Sequence, residues 1–385
     1  MRDEDISPAH VRVGASTQTD TRAAVREATA CIDPRDTCFV LALMPQSFDR
    51  EVMAQELTRH MDGVPVFGCT TAGQITAHGY ETGALQLIAF PREHFRCASL
   101  LIEPLKPISI TEIAAQATRH AVRFQRTAGW NRLALILSDG LSKQEDLLIS
   151  TLETVLDDLP VFGGSAGDGL SFGETLILHN GQFRSNVALL MLLETDLQFQ
   201  GIGFDHFLPT DTQLVITDAD PEERLVKEIN GAPAAQEYAR LVGCGVADLS
   251  PQIFAENPIL VRYNQNYYVR AISSVKDGQA LSFLAAIDDG VVLTLGKGTE
   301  IIKTLEAGLG VSGPGGLTPD FILGFDCVLR KLEIEQKQLG GEASALFRAH
   351  KVLGFNTYGE QHCGVHMNQT FVGVAFFDPA GRALG

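Results

Sequence analysis

The sequence has no cluster of basic residues: 30 Lys and Arg stand against 47 Asp and Glu, a formal net charge of −17 at pH 7. Binding to a phosphate backbone needs clustered cations, so we expect no nucleic-acid partner. No apolar run approaches the roughly 18 residues of a membrane-spanning helix. The opening MRDEDISPAH lacks the basic start and apolar core of a signal peptide. We therefore expect a soluble, cytoplasmic protein with no membrane partner.

Cysteine pairs of the C-x-x-C type are also missing, and the seven cysteines are an odd number. Cys38 precedes the apolar run FVLAL and Cys327 lies within GFDCVL, so packed, reduced thiols are expected rather than disulfides or a zinc cluster. H-E-x-x-H, P-loop and paired-carboxylate motifs cannot be found either. Their absence favours a binding protein over an enzyme, although the fold can also bring together catalytic residues that are distant in the sequence.

Two similar stretches are present, PVFGCTTAGQ at 65–74 and PVFGGSAGDG at 160–169. Each follows an apolar strand-like run and a helix-like segment: FVLALM and FDREVMAQELTRHM in the first copy, LALILSDG and SKQEDLLISTLETVLDDL in the second. A continuous apolar strand before the helix is typical of a buried parallel sheet. Because β-rich segments follow both copies, the pattern predicts a duplicated strand-helix-strand unit of the α/β class.

The string G-G-S-A-G in the second copy fits the nucleophile-elbow pattern G-x-S-x-G of serine hydrolases. That motif requires a helix directly after the serine, whereas DGLSFGETLILHN after Ser165 is typical of a loop and a strand. The same glycines fail as a dinucleotide fingerprint for the same reason. Thr70, Thr71, Ser165 and Asp168 leave two interpretations open: polar walls of a ligand cleft at strand ends, or ordinary turn chemistry.

The second half of the chain becomes β-rich from about residue 198. A helix-like stretch, EERLVKEINGAPAAQEYARLV, ends at Gly243, and further helical segments occur at IIKTLEAGL and around EIEQKQLGGEASALFRAH. Strand-like runs lie between and after them. We predict two closely packed domains, an α/β domain at 1–200 and a mixed α+β domain at 201–385.

An ordered set of strings runs along the chain: VFGCTTAG and VFGGSAGD in the first half, then VITDADPEERLVKEINGAPA, YYVRAI, GFDCVLR, GFNTYGEQ and HMNQTFVGVA in the second. This set resembles the FIST family. The resemblance runs from about Val11 to Phe377. It implies a sensory protein that binds a small molecule or gas. Family members similar to this chain include haem-binding nitric-oxide sensors that act on histidine kinases, so the resemblance implies haem, nitric oxide and a kinase partner, with monomer or homodimer left open. The strings of the first half resemble the FIST N domain, and those of the second half resemble the FIST C domain.

A haem site needs an axial ligand in an apolar pocket and polar groups for the propionates. Among ten histidines, His366 in GVHMNQTFVGVA resembles the end of the family motif, and His206 is flanked by Phe204 and Phe207. These two are the candidate iron ligands, and His362, directly after GEQ, is an alternative to them. A hydrogen-bonded structural role is the alternative for each. His94, in a polar context, is set aside.

Three cations, two phenols and a carboxyl group complete the predicted site. The guanidinium groups could bind a carboxylate or propionate bidentately, the phenols could donate or stack, and the carboxyl group could position an arginine. For Arg330, the alternative is a structural salt bridge to an acidic neighbour. If the ligand is an amino acid, the same set would bind its carboxylate and ammonium, and the two histidines would lose their role. The set is Arg262, Arg270, Arg330, Tyr263, Tyr358 and Glu360.

Overall fold

A computed structural model describes residues 8–157, 159–263 and 266–378. In this part of the chain, helices pack against four mixed or antiparallel sheets. This confirms the predicted α/β plus α+β class and the strand-helix-strand duplication. A third copy of the same unit, not evident from the sequence, begins at residue 198 and ends at residue 377.

Unit 1 spans 12–91. Its order is strand, helix, strand, helix, strand, a short hairpin and a closing strand. These elements are β1 (Arg12–Ser16), α1 (Thr21–Thr29), β2 (Thr37–Met44), α2 (Arg50–Met61), β3 (Val66–Thr70), β4 (Gln74–Thr76), β5 (Gly79–Glu81) and β6 (Leu85–Pro91).

Unit 2 spans 95–195 and repeats this order. Its hairpin turns at Asn180 and Gly181, both with positive φ, as tight hairpins require. The elements are β7 (Phe95–Ile102), α3 (Ile110–Arg123), β8 (Asn131–Ser138), α4 (Glu145–Val155), β9 (Val161–Ser165), β10 (Ile177–His179), β11 (Gln182–Arg184) and β12 (Ala188–Thr195).

Unit 3 begins with β13 (Gln198–Phe204), and the chain then leaves it to form an inserted domain at 207–298. The inserted domain builds its own antiparallel sheet. Its elements are β14 (Phe207–Asp220), β15 (Leu225–Ile229), β16 (Ala232–Pro233), α5 (Ala234–Val242), α6 (Pro251–Glu256), β17 (Ile259–Tyr263), β18 (Asn266–Arg270), β19 (Ile272–Lys276), β20 (Ala280–Phe283) and β21 (Val292–Gly298).

The rest of unit 3 follows the inserted domain and keeps the order of the other units, except that its second helix is split in two. Its elements are α7 (Ile301–Leu309), β22 (Phe321–Cys327), α8 (Val328–Gln336), α9 (Gly340–Ala349), β23 (Val352–Thr357), β24 (Glu360–His362), β25 (Val365–Met367) and β26 (Phe371–Phe377).

One helix expectation is wrong in part. The first half of EERLVKEINGAPAAQEYARLV is the strand β15, and only its second half is the helix α5. Val226 and Ile229 of that strand are buried in the core of the inserted domain, so their packing outweighs the helix propensity of the surrounding Glu and Lys residues. The helix does end at Gly243, which has a φ of 80°, a conformation that favours glycine.

The three units exchange their hairpins around a ring. Their own strands pair in the equivalent orders β1-β6-β2-β3, β7-β12-β8-β9 and β13-β26-β22-β23. The hairpin of each unit then extends the sheet of another: β4-β5 joins β23, β10-β11 joins β3 and β24-β25 joins β9. The three-unit core is therefore tied together by backbone hydrogen bonds as well as by side-chain packing.

Each sheet of the core is buried on both faces. One face of each packs on a shared centre, where each of four phenylalanine rings contacts two of the others: Phe90, Phe95, Phe321 and Phe376. The other face packs on the helices of its own unit. This double burial explains the continuous apolar strands seen in the sequence.

Candidate functional site

The carboxyl ends of the parallel strands meet at the centre of the ring. There the amide of Ala72 donates to the carbonyl of Asn356 at 3.0 Å, that of Gly167 to Thr70 at 3.0 Å, and that of Tyr358 to Ser165 at 3.3 Å. These residues hold equivalent positions in the three units. The two glycine turns at 68–74 and 163–169, and their counterpart at 354–359, are therefore the places where the units join.

The polar side chains of these turns are buried and bonded within the protein. Ser165 lies 3.0 Å from Gln361 Nε2 and 3.1 Å from Ser138 Oγ, and the carboxylate of Asp168 accepts from three backbone amides of its own loop. Thr70 Oγ1 accepts from the amide of Leu176 at 3.0 Å. After Ser165 the next element is the strand β10, not a helix. These contacts favour the turn interpretation.

A cavity of about 640 Å³ lies between the core and the inserted domain, within the size range of small-molecule sites. We call it the cleft. The start of α4 forms one wall, and the loops and β18 of the inserted domain form the other. Its lining mixes charge with the apolar groups Pro107, Ile108 and Leu147, and the charged residues include Lys143, Asp146, Glu222, Arg270 and Asp288.

Arg224 holds the two walls together. It belongs to the inserted domain, is 3% exposed, and donates from Nη2 to Glu145 at 2.6 Å and to Asp146 at 3.3 Å on α4. Its Nη1 donates to the carbonyl of Leu284, and the amide of Ala286 donates to Asp146 Oδ2 at 3.4 Å. Asp146 is therefore a carboxylate of the core that contacts two segments of the inserted domain.

Arg270, the arginine that lines the cleft, has no comparable partner. Among the described residues, its one hydrogen bond is to the carbonyl of Val269 at 3.4 Å. Burial lowers the pKa of Arg270, and the nearby Asp146 partly offsets this effect. Burial alone would raise the pKa of Asp146, but the charges of His366, Arg224 and Arg270 hold it below its usual range. An anion near Arg270 would complete its hydrogen bonding.

His366 does not line the cleft but lies beside it, near enough for Asp146 and Arg270 to influence its pKa. Its Nε2 is 3.3 Å from the carbonyl of Leu284 and its Nδ1 is 3.4 Å from Gln361 Nε2. Burial lowers the pKa of His366. Two buried polar atoms here, Arg224 Nε and Gln361 Oε1, lack a partner among the described residues, which is unusual in a protein interior.

His206 and Arg330 lie elsewhere, in a buried charge network of unit 3. His206 Nε2 donates to Glu333 at 2.9 Å, and its Nδ1 accepts from Arg330 Nη1 at 3.2 Å. Arg330 also donates to Asp326 at 2.9 Å. Burial lowers the pKa of His206 despite its bond to Glu333. The contacts of Arg330 thus match its salt-bridge interpretation.

The remaining predicted residues are dispersed. Tyr358 donates its hydroxyl to Asp168 in the central turn. Glu360 is fully buried and accepts hydrogen bonds from Thr357 and Thr370, and burial raises its pKa to about 8. Arg262 and Tyr263 are exposed at the end of β17. None of these four residues lines the cleft.

Neither candidate histidine is arranged to ligate iron. Both ring nitrogens of His206 are hydrogen-bonded, so its one lone pair already accepts from Arg330. The His366 ring packs against the backbone of Gly359, where a Cβ would lie 2.2 Å from its Cε1. Its bond to the Leu284 carbonyl places the proton on Nε2, and Nδ1 faces Gln361. These residues, as they stand, do not fit an axial haem ligand.

Comparison with known families agrees with the fold. The FIST N domain model matches residues 9–232, and the FIST C domain model matches residues 234–363. The chain belongs to the FIST family. FIST domains are sensory domains for small ligands, so this FIST protein is a sensor of that class. The N model extends beyond residue 200 into the inserted domain, and the two-domain division at 200 stays a prediction.

Other comparisons add little to the family match. A solved cyanuric acid hydrolase from A. caulinodans aligns with 48% of this FIST chain and 70% of its own, at 11% identity and a TM-score of 0.27, which is too slight a likeness to indicate a shared fold or function. No curated protein matches the chain. No helix of the described residues is long and apolar enough to cross a bilayer.

Proposed function

We propose that this FIST protein senses a small molecule bearing a carboxylate and a cationic group, such as an amino acid, in the cleft. The observation that carries the proposal is Arg270, a guanidinium in a cavity between two structural bodies that lacks an acidic partner among the described residues. Arg270 would bind the carboxylate bidentately. The proposal is of a binding protein, not an enzyme.

Asp146 supplies the opposite charge. Its hydrogen bonds within the described part of the chain use Oδ2, which leaves Oδ1 to accept from a ligand ammonium group. The apolar groups of Pro107, Ile108 and Leu147 would contact the ligand side chain. The ligand would thus join α4 of the core to β18 of the inserted domain.

Signalling requires a ligand that binds two conformations with different affinity. A ligand held by both Asp146 and Arg270 stabilises the closed arrangement of the core and the inserted domain in preference to an open one. In this proposal the change alters the surface presented to a histidine kinase in the cytoplasm.

The proposal is tested by a thermal-shift screen of the full chain against the twenty amino acids. At least one of them is expected to raise the unfolding temperature, because a ligand at 100 times its Kd adds about 2.7 kcal/mol to stability. The Arg270→Ala variant is expected to lose that shift. If none of the twenty raises the unfolding temperature, the amino-acid proposal fails.

Haem with nitric oxide as the signal is the second candidate, and it rests on the family resemblance and on the position of His366 beside the cleft. It requires the hydrogen bonds of His366 or His206 to break. Titration of the full chain with haem tests it by absorption spectroscopy. A saturable Soret band at one haem per chain that is lost in His366→Ala or His206→Ala supports haem. Non-saturable absorption, or a native spectrum in both variants, rejects this assignment.

A further inference from the structure

The inserted domain is attached to the core through two connecting segments, and these segments meet at His206. One of them leads from β13 into β14, and the other leads from β21 into α7. The amide and the hydroxyl of Thr299, in the second segment, donate to the carbonyl oxygen of His206 at 2.8 and 2.7 Å. We call the two segments, 205–207 and 298–300, the hinge. Any rotation of the inserted domain relative to the core must change the backbone here or near it.

The side chain of His206 fastens the hinge to α8 of the core. Its Nε2 lies 2.9 and 3.0 Å from the two carboxylate oxygens of Glu333, and its Nδ1 lies 3.2 Å from Arg330 Nη1. A guanidinium can only donate, so Nδ1 carries the lone pair and Nε2 carries the proton. Both contacts are therefore satisfied by a neutral imidazole, and its side chain is fully buried.

The protonated form of His206 does not fit this arrangement. An imidazolium donates from both nitrogens, so its N–H at Nδ1 would point at the guanidinium of Arg330 and the hydrogen bond between them would be lost. Arg330 is itself fully buried and donates to Asp326 at 2.9 Å, which keeps it from turning away. Two cations would then face each other in a buried position, which is unfavourable.

The charged groups around His206 act in opposing directions. Burial lowers the pKa of His206, Glu333 and Asp205 raise it, and the charge of Arg330 lowers it. The result is a pKa below the usual value of 6.5. Lys337 also donates to Glu333, at 2.6 Å, so that carboxylate is shared between His206 and a second cation. The closed hinge therefore favours the neutral ring.

The carboxyl groups near the hinge respond to acid in a different way. Burial raises the pKa of Asp205 and that of Asp326, so acid does not weaken the closed hinge through them. Burial alone would raise the pKa of Glu333, but the bonds from His206 and Lys337 hold it below its usual value of 4.5. Between pH 7 and pH 5, His206 is thus the group of this set whose protonation opposes the closed hinge.

We propose that His206 is a pH-sensitive clasp: in its neutral form it fastens the hinge of the inserted domain to α8, and its protonation releases the hinge. Protonation of histidines changes interfaces in the same way in pH-sensing proteins. Release of the hinge lets the inserted domain turn relative to the core. Acidification is then an input to this protein that acts on the hinge and does not depend on which ligand the cleft binds.

Hydrogen exchange of the full chain, without added ligand, tests the clasp. The amide of Thr299 is bonded to the carbonyl of His206, so the protection of segment 298–300 from exchange reports closure of the hinge. The open hinge takes up a proton at the usual histidine pKa of 6.5, whereas the closed hinge resists it. Protection, corrected for the intrinsic exchange rate, is therefore expected to fall by up to about 25-fold from pH 7 to pH 5.

His206→Gln is the deciding variant, because a glutamine amide can donate to Glu333 and accept from Arg330 but does not titrate in this range. The protection of segment 298–300 is expected to stay constant from pH 7 to pH 5 in this variant. His350→Gln is the matched control. Burial lowers the pKa of His350 as well, but this residue follows α9 and is not part of the hinge, so the variant should keep the pH dependence of the unmodified chain.

The proposal is overturned if protection of segment 298–300 does not fall toward pH 5, or if it falls equally in His206→Gln. A fall that β22 shares to the same extent reports unfolding of the whole chain and also overturns it. This comparison within the unmodified chain decides the question if His206→Gln fails to fold. Because no ligand is present, failure of the clasp leaves the amino-acid proposal intact, and failure of that proposal leaves the clasp intact.

Discussion

Glu360 shows how a single residue responds to its place in the fold. It lies on β24, which belongs to unit 3 but extends the sheet of unit 2, and it is fully buried at this junction. The nearby Asp326 adds to the effect of burial, and the pKa of Glu360 is raised to about 8. At neutral pH the carboxyl group is therefore mostly protonated, although its hydrogen-bond partners Thr357 and Thr370 favour the charged form.

This pKa predicts how stability depends on pH. The unfolded chain releases the proton of Glu360 near pH 4.5, whereas the folded chain keeps it until about pH 8, so the contribution of Glu360 to stability falls as pH rises through this window. Glu360→Gln removes the titration. Relative to the unmodified chain, its free energy of unfolding is expected to rise by up to about 1.4 kcal/mol per pH unit between pH 5 and 8.

Urea denaturation at pH 5, 6.5 and 8 measures this difference. Glu237→Gln on α5 is the matched control, since its hydrogen bond from Arg240 lowers the pKa of Glu237 to about 2. Both states of that control are ionised above pH 5, so its difference stays nearly flat. A flat difference for Glu360→Gln as well would contradict the assigned pKa.

Some residues in and around the cleft were predictable from the sequence and others were not. Arg270, which lines the cleft, was predicted as a guanidinium able to bind a carboxylate bidentately. His366, which lies beside the cleft, was predicted from its resemblance to the end of the family motif. Glu145 and Asp146 lie in the first turn of α4, where acidic residues normally serve the helix dipole. Arg224, from the stretch DPEER, meets them only through the fold, and no local pattern marks it.

At the scale of elements, a glycine allows the central parallel strands to approach in all three units. A Cβ on Gly68 would lie 1.9 Å from the carbonyl oxygen of Ala42, one on Gly163 would lie 1.9 Å from that of Ile136, and one on Gly354 would lie 1.8 Å from that of Gly324. The neighbouring strand cannot yield without losing its hydrogen bonds. The string V-F-G in the first two copies, and the glycine of V-L-G-F in the third, share this physical cause.

Gly68→Ala is therefore expected to be destabilising. Overpacking against backbone in a sheet costs about 1 to 3 kcal/mol or more, which should appear as a lower midpoint in urea denaturation. Gly340→Ala, at the start of α9, is the control: a Cβ there meets nothing within 4 Å, and alanine favours the helix. Equal stabilities for the two variants would contradict the role assigned to Gly68.

The third copy escaped detection because two features of its sequence hide the repeat. The inserted domain at 207–298 separates its first strand from the rest, so its spacing differs from that of the first two copies. Its glycine turn, NTYGEQ, also shares few letters with CTTAGQ and SAGDG. The strands and most helices were predictable from apolar periodicity, but the exchange of hairpins depends on pairing between distant segments, which no local pattern reveals.

At the scale of the whole molecule, the protein is a ring of three units with one inserted domain packed against it. Arg224 joins the two bodies at its bonds to Glu145 and Asp146, and the cleft lies beside this junction. Charged groups at a junction between two bodies place ligand binding where relative movement changes contacts. This arrangement is the physical basis for proposing a sensor.

The most direct test of the account is isothermal titration of the amino acid found by the thermal-shift screen against three proteins: the unmodified chain, Arg270→Ala and Arg240→Ala. Arg240 is an exposed arginine of the same inserted domain that pairs with Glu237. Loss of a charge-assisted pair costs about 1.5 to 3 kcal/mol, or about 10- to 150-fold in Kd. The account predicts that loss for Arg270→Ala alone, and equal affinity of all three proteins would contradict it.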